Sequence, residues 1–416
     1  MVLTDCSVYA SVGVVNSIGI TGSADAVVVG GGTIGAWCAW FLRQSGLGRV
    51  VLLEAGSLGK GASSRAAGMV RAQGGTETAV RLGMWTRDFY SEQRDHLAVD
   101  SGFVAQGYCM PCFTDDEVAQ ARDRIAMQQG LGLEVWWVDA DEFDALNPAV
   151  ARGRTLGSSY APGDGYIDPP RNVLAYTSAI VSAGVEVHEG TAFTGFDTSG
   201  GEVSVVHTGA GSIATRRLVL TGGPQLAAVG RAAGMRIPSG GVRHQVVVTE
   251  PHEELAADRV PMVFDVTAGI YWRPEEGGLL WGMSNPDEAP GEAIEFDDNY
   301  FALMRARVAD LVPVTSRLGI RKRWAATIDF TPDHLPILGP ALGANGPVGG
   351  TVVAAAGGHG MMWGPAVSRA AADLVLTGVT DVVDVSDLGL DRFDEHGRSK
   401  LAPDPIALPF PERTCL

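Results

Sequence analysis

Four consecutive apolar residues, Ala26–Val29, open the regular part of the chain. An unbroken apolar run of that length predicts a strand buried on both faces, as in a parallel sheet covered by helices. Glycines follow, then a helical apolar pattern, then a second apolar run over Val50–Leu53. The strand, glycine turn, helix order returns in RRLVLTGGPQLAAVG (216–230) and again over 352–376, where the turn reads GGHG. Further helices are predicted over 77–96, with Trp85, Phe89 and Tyr90 at apolar positions, and over 115–130, 172–183 and 301–311. Between them the pattern shortens to strands. These are a strand pair in 102–113, a strand and short capped helix in 135–150 stopped by Pro148, and runs at 185–189, 194–196, 203–207 and 212–214. Alternating strands fill 243–283.

Three pieces with parallel-sheet character are therefore interrupted by antiparallel segments, and no internal repeat is visible. This implies an α/β plus β protein of two discontinuous domains, with the site where they meet. One domain is expected from 25–100, 160–235 and 325–395, the other from 101–159 and 236–324. Residues 1–24 are expected as a loose extension or an extra edge strand, and 396–416 as an extended, proline-rich tail.

The first strand–turn–helix carries chemistry. Gly30, Gly32 and Gly35 make G-x-G-x-x-G directly after the apolar run. The first allows the tight turn, the second lets backbone approach a pyrophosphate, and the third lets helix and sheet pack closely. Thr33 and Ile34 start the helix whose N-terminus faces the phosphates. Glu54 ends the second strand, where a carboxylate can bind both hydroxyls of an adenosine ribose, and Ala55 follows it. All four elements stand in order, so the chain is expected to bind an adenine dinucleotide in a Rossmann-like domain.

Composition narrows the remaining classes. Of 416 residues, 46% are hydrophobic and 19% charged, the balance of a folded globular chain, and a net charge of −17 disfavours nucleic acid and anionic membranes as partners. No run is long enough to span a bilayer, and residues 1–24 lack the basic start of a signal peptide, so a cytoplasmic location is expected. Cys109 and Cys112 form CMPC, but no second ligand pair stands at zinc spacing. They are read as two structural cysteines, and no metal site is expected.

Four passages resemble the D-amino-acid oxidase and sarcosine oxidase class of FAD flavoproteins: the fingerprint through Glu54, GASSRAAGMVR, TIDFTPDHLPILGP, and AAGGHGMMWGPAVSRAAADLVL. HQVVVTEP resembles the sarcosine and dimethylglycine dehydrogenase branch. The resemblance spans 25–393 and implies a Rossmann-like FAD-binding domain with an antiparallel-sheet substrate domain. It further implies that Ser63, Ser64, Arg65, Ala67, Gly68 and Met69 run from the phosphates toward the flavin. The backbone of Val187 would lie beside the adenine, and Gly222 and Gly223 would line the cofactor. Gly358, His359, Gly360, Met361 and Met362 would pass close to the flavin ring. The implied reaction is hydride removal from a substrate C–H, in an apolar pocket for which Tyr271, Trp272, Trp281, Met361 and Trp363 are candidate walls.

Departures from the family pattern bear on the substrate. Arg71 matches one carboxylate-binding arginine, whereas the lysine after the GHG turn is Met362 and an arginine after the YxxP proline is Glu275. Tyr271 and Arg273 share one strand face and are candidates to fill that role. Arg65 and 324–327 hold no histidine or cysteine for flavin attachment, so non-covalent FAD is expected. Leu280 replaces the lysine of fast-reacting oxidases, which points to a dehydrogenase or slow oxidase, with oxygen or another acceptor. The leading expectation is oxidation of a secondary or tertiary amine, such as an N-methyl or cyclic amino acid. The alternatives are oxidation of a C–OH group with His359 as base, and a flavin-binding subunit of a larger dehydrogenase. His244 is a second candidate base, although it reads most simply as a packing or loop residue. A homo-oligomer or hetero-complex is compatible with all three.

Overall fold

A computed structural model describes residues 19–255 and 260–408; most of the expected N-terminal extension (1–18) and the end of the tail (409–416) lie outside the described residues. Two large sheets carry the fold. The first has six strands in the order Ile337–Gly339, Thr351–Ala355, Leu218–Leu220, Ala26–Val29, Val50–Leu53, Glu186–His188. Neighbours are parallel except Ile337–Gly339, which runs against Thr351–Ala355. The unbroken apolar runs follow from burial on both faces. Residues such as Val28 and Leu52 pack on the helices Thr33–Gln44, Pro169–Ser182 and Gly364–Thr377. On the other face Val27, Val29 and Leu53 pack against Val203, Val206 and Ile213 of a three-stranded antiparallel sheet. Ile20 and Ser23 make isolated parallel bridges to Gly211 and Ala214, so the end of the N-terminal extension lies along that sheet's edge.

The second sheet has eight strands, in the order Ile320–Phe330, Gly240–Thr249, Gly278–Ser284, Ile270–Glu275, Met262–Asp265, Tyr108–Cys112, Gly157–Ala161, Trp136–Asp139. All neighbours are antiparallel except Met262–Asp265 with Tyr108–Cys112. One face packs on the helix Asp298–Leu311 through Tyr300, Met304 and Val308. The opposite face, with Tyr108, Val246, Phe264 and Tyr271, packs against Ala67 and Met69 from the passage after the fingerprint. The site lies between this face and the carboxyl ends of the central strands of the parallel sheet. The strand Ile320–Phe330 is continuous across position 325, where a domain boundary is expected from sequence.

Three elements differ from the sequence expectation. The helix expected at 172 starts at Pro169, because Asp168 caps it by accepting the Arg171 N–H at 3.0 Å and prolines fit a first turn. The helix expected at 301 starts at Asp298, capped by the Asp297 carboxylate. The strand pair expected in 102–113 does not form a hairpin. Val104–Ala105 pairs instead with Gly165–Tyr166. Among the described residues, no helix is long and apolar enough to cross a membrane.

Candidate active site

A cavity of about 820 Å³ runs from the fingerprint turn to the inner face of the eight-stranded sheet. At its first end the glycines do what their spacing requires. Gly30 has φ +98°, and a Cβ there would stand 2.5 Å from Thr221 Oγ1. A Cβ on Gly35 would stand 1.9 Å from the Gly30 carbonyl oxygen, so only glycine lets this helix approach this strand. Glu54 closes the turn: its two carboxylate oxygens accept the Gly31 and Gly56 N–H groups, each at 2.7 Å. A carboxylate has about four acceptor sites, so this clamp leaves capacity for hydroxyls in the cavity that Glu54 lines. Ser63 Oγ accepts the Thr33 N–H at 3.0 Å, and Asn172 holds the Thr33 hydroxyl at 3.2 Å.

Most of the cofactor residues expected from sequence line this one cavity. From the first passage these are Gly30, Gly32, Thr33, Ile34, Gly35, Glu54 and Ala55, and from the second Ser63, Ala67, Gly68 and Met69. Gly222, Gly223 and the whole turn Gly358–Met362 join them. Ser64, Arg65 and Val187 do not line it. The Arg65 carbonyl accepts the Trp324 indole N–H at 2.8 Å, and Val187 packs into the core behind the parallel sheet.

At the other end stand four side chains with chemistry. Arg71 is buried, and its guanidinium donates to the carbonyls of Gln73 and Ile406, the latter at 3.0 Å. Its charge lies over the Phe264 ring, and among the described residues it makes no ion pair, although the buried carboxyls of Asp404 and Asp164 feel its charge. Tyr271 and His244 form a second group. The Tyr271 hydroxyl lies 2.5 Å from His244 Nε2, and His244 Nδ1 lies 2.7 Å from Ser284 Oγ. The rings are nearly parallel, 12° apart, with Gly282 beneath the contact, where a Cβ would stand 2.2 Å from the Tyr271 oxygen. Burial pushes His244 down to about 4 and raises the Tyr271 phenol, so both are neutral near pH 7. His359 is held well below the ordinary imidazole range by burial, with the Arg71 and His334 charges acting in the same direction. Its Nδ1 is buried without a hydrogen-bond partner, and its ring packs on Trp363 at 4.0 Å.

Several expected walls lie elsewhere. Trp272 and Trp281 point to the opposite face of the sheet, into the cluster with Tyr300 and Met304. Trp363 backs His359 from within the helical core, and of the aromatic and methionine candidates only Tyr271 and Met361 line the cavity. Arg273 does share the Tyr271 face, but it pairs with Glu275, donates to the Ala67 carbonyl at 3.2 Å and stacks on Tyr166, outside the cavity lining.

From sequence His244 is a candidate base that reads most simply as a packing residue, and Asp329 has no expected role. His244 alternates with Val246 and Val248, and that parity was the available signal. Asp329 lines the cavity beside the glycine turn and accepts the Gly358 N–H at 3.4 Å, and burial raises its carboxyl.

A glycine cradle that a Cβ would fill, a clamped acid with free acceptor sites and an unpartnered buried imidazole together fit a dinucleotide-linked redox cofactor. A family model described as "DAO: FAD dependent oxidoreductase" matches residues 25–374, and the chain belongs to that family. FAD is accordingly its cofactor. The chain is 30% identical over 388 residues to the 4-methylaminobutanoate oxidase (formaldehyde-forming) of Paenarthrobacter nicotinovorans, covering 90% of this chain and 46% of that protein. It is 28% identical over 334 residues to mitochondrial sarcosine dehydrogenase of Mus musculus, covering 77% and 36%. The chain thus spans less than half the length of these relatives. The crystal structure of L-proline dehydrogenase from P. horikoshii shares the fold, with a TM-score of 0.83 at 24% identity over 92% of this chain and 100% of that one.

Proposed function

We propose that the protein oxidises a secondary or tertiary amine that carries a carboxylate, of the N-methyl or cyclic amino acid type, to the imine. The carrying observation is the pairing of a buried Arg71 that makes no ion pair among the described residues with a neutral His244–Tyr271 pair on the walls of one FAD cavity. A guanidinium whose protein partners are only carbonyls gains most from an anionic ligand. FAD, when bound, supplies the hydride acceptor, and we read its attachment as non-covalent. Among the described residues the cysteines at 38, 109 and 112 are buried and none lines the cavity.

The chain's own residues prepare the substrate. An amine reaches the site largely as an ammonium ion, and its lone pair must be freed before hydride can leave. The Tyr271 hydroxyl, hydrogen-bonded to a neutral His244, offers the amine a polar partner without charge, so the site favours the free base, whose proton is left in solvent. Arg71 holds the carboxylate, and Phe264, Met361 and Ile328 keep water from the reacting carbon. The amine names of the relatives support this reading. One observation favours a second. A neutral His359 lines the same cavity, where a base for a hydroxyl substrate would stand.

Anaerobic titration of the flavin-loaded protein separates the two. Bleaching of the visible flavin band by N-methyl and cyclic amino acids, but not by hydroxy acids, is the expected result. Bleaching by hydroxy acids alone would overturn the amine reading and make His359 the base to test.

A further inference from the structure

The residues after the family match do not lie idle on the surface. Asp333, in the TPDH passage, accepts both Arg392 Nε at 2.8 Å and the Ser399 hydroxyl at 2.5 Å. Its own carbonyl takes the Asp404 N–H at 3.0 Å, and the Asp404 carboxylate takes the Ile406 N–H at 3.0 Å. This brings a completely buried Ile406 against the cluster of Phe264 and Tyr271. Its carbonyl is the one that Arg71 holds at 3.0 Å. Two residues on, Leu408 lines the cavity itself and packs against Ile328 and Phe330.

We infer that segment 404–408 is the substrate-length gauge of this site, with Leu408 as the specificity-determining side chain. The inference rests on the reading of Arg71 as the carboxylate holder. Two of the five guanidinium N–H donors are spent on carbonyls, one of them from this segment, so a carboxylate engages Arg71 from the remaining side only. Leu408 then bounds the space available to the chain between carboxylate and amine. An apolar wall of this kind discriminates by methylene count, at roughly fourfold in affinity per methylene accommodated or excluded.

The test uses flavin-loaded full-length protein and straight-chain carboxylates from acetate to hexanoate, with perturbation of the visible flavin band as the binding readout. Leu408→Ala is expected to tighten hexanoate about tenfold while acetate stays within about twofold. Leu408→Trp is expected to weaken hexanoate about tenfold, again sparing acetate. The second variant removes no core volume, so it carries the test should the alanine variant lose flavin. If carboxylates bind but both variants change all lengths equally or not at all, Leu408 is no gauge and the inference falls. Should no carboxylate perturb the band in any of the proteins, the reading of Arg71 fails first and takes the inference with it.

Discussion

The contact between His244 and Tyr271 depends on a residue with no side chain. Gly282 sits opposite Tyr271 in the sheet, and the phenol crosses it to reach the imidazole. A methyl group there would stand 2.2 Å from the Tyr271 oxygen and 2.8 Å from His244 Nε2. Gly282→Ala is therefore expected to displace the pair and lower kcat/KM about a hundredfold. The FAD content of the purified variant should be unchanged, because the fingerprint is untouched. Full activity would show that the pair does not act on the substrate. The same imidazole also ties stability to pH. Its native value is about 4 against an ordinary 6.5, so the unfolded chain binds a proton that the native protein refuses. Stability is fully present above about pH 6.5 and is lost as pH falls toward 4, by about 3 kcal/mol in all. Asp164, pushed up to about 6 by burial, has the opposite sign: its native carboxyl takes up a proton before the unfolded one and adds stability over that window. The difference between wild type and His244→Gln isolates the histidine. Urea unfolding from pH 7 to 4 should show the variant losing about 3 kcal/mol less than wild type. Parallel curves would show that His244 is not the source.

At the scale of elements, the fingerprint helix and its strand meet only because position 35 has no Cβ. Gly35→Ala places a methyl group against the Gly30 carbonyl, a backbone atom that cannot rotate away. No soluble, flavin-loaded protein is expected from it. Gly130→Ala, at the end of the helix Asp115–Gly130, meets nothing within 4 Å and serves as the control. That control should hold FAD and melt at or slightly above the wild-type temperature, and a flavin-loaded Gly35→Ala would refute the close-packing argument. This unit was legible because its constraints are local: a buried strand, a turn that tolerates only glycine, a helix and an acid in sequence order. The helix Asp115–Gly130 was equally legible, its start marked by a Thr114–Glu117 capping box. The substrate sheet was not. Parity shows that Tyr271 and Arg273 share a face opposite Trp272, yet both faces of this sheet are apolar and buried, one on a helix and one on the cofactor region. Which face holds the site is decided by long-range packing. Arg273 illustrates the point, since its side chain bends to Glu275 and the Ala67 carbonyl even though its backbone faces the cavity side.

Across the whole molecule, one buried ion pair binds the post-family segment to the body. Arg392 donates from Nε and Nη2 to the two Asp333 oxygens, at 2.8 and 3.0 Å, with the side chains 3% and 1% exposed. Burial alone would raise the Asp333 carboxyl. The Arg392 hydrogen bonds and charge outweigh burial, aided by Ser399, and hold it below the ordinary carboxylate range. A carboxylate buried this deeply tolerates its charge only while the guanidinium is present. Arg392→Met should therefore cost about 3–5 kcal/mol in chemical denaturation. Adding Asp333→Asn to that variant should restore part of the loss, because the stranded charge and not the missing cation is the main penalty. A double variant no more stable than the single one would show that Arg392 contributes through packing instead. The stakes reach the active site, for Asp333 also anchors Asp404 and thus the strand of chain that delivers the Ile406 carbonyl to Arg71. Weakening the pair should then loosen carboxylate-length selectivity in a protein whose fingerprint still holds FAD. That outcome would tie an ion pair outside the cavity lining to substrate choice through one continuous set of hydrogen bonds.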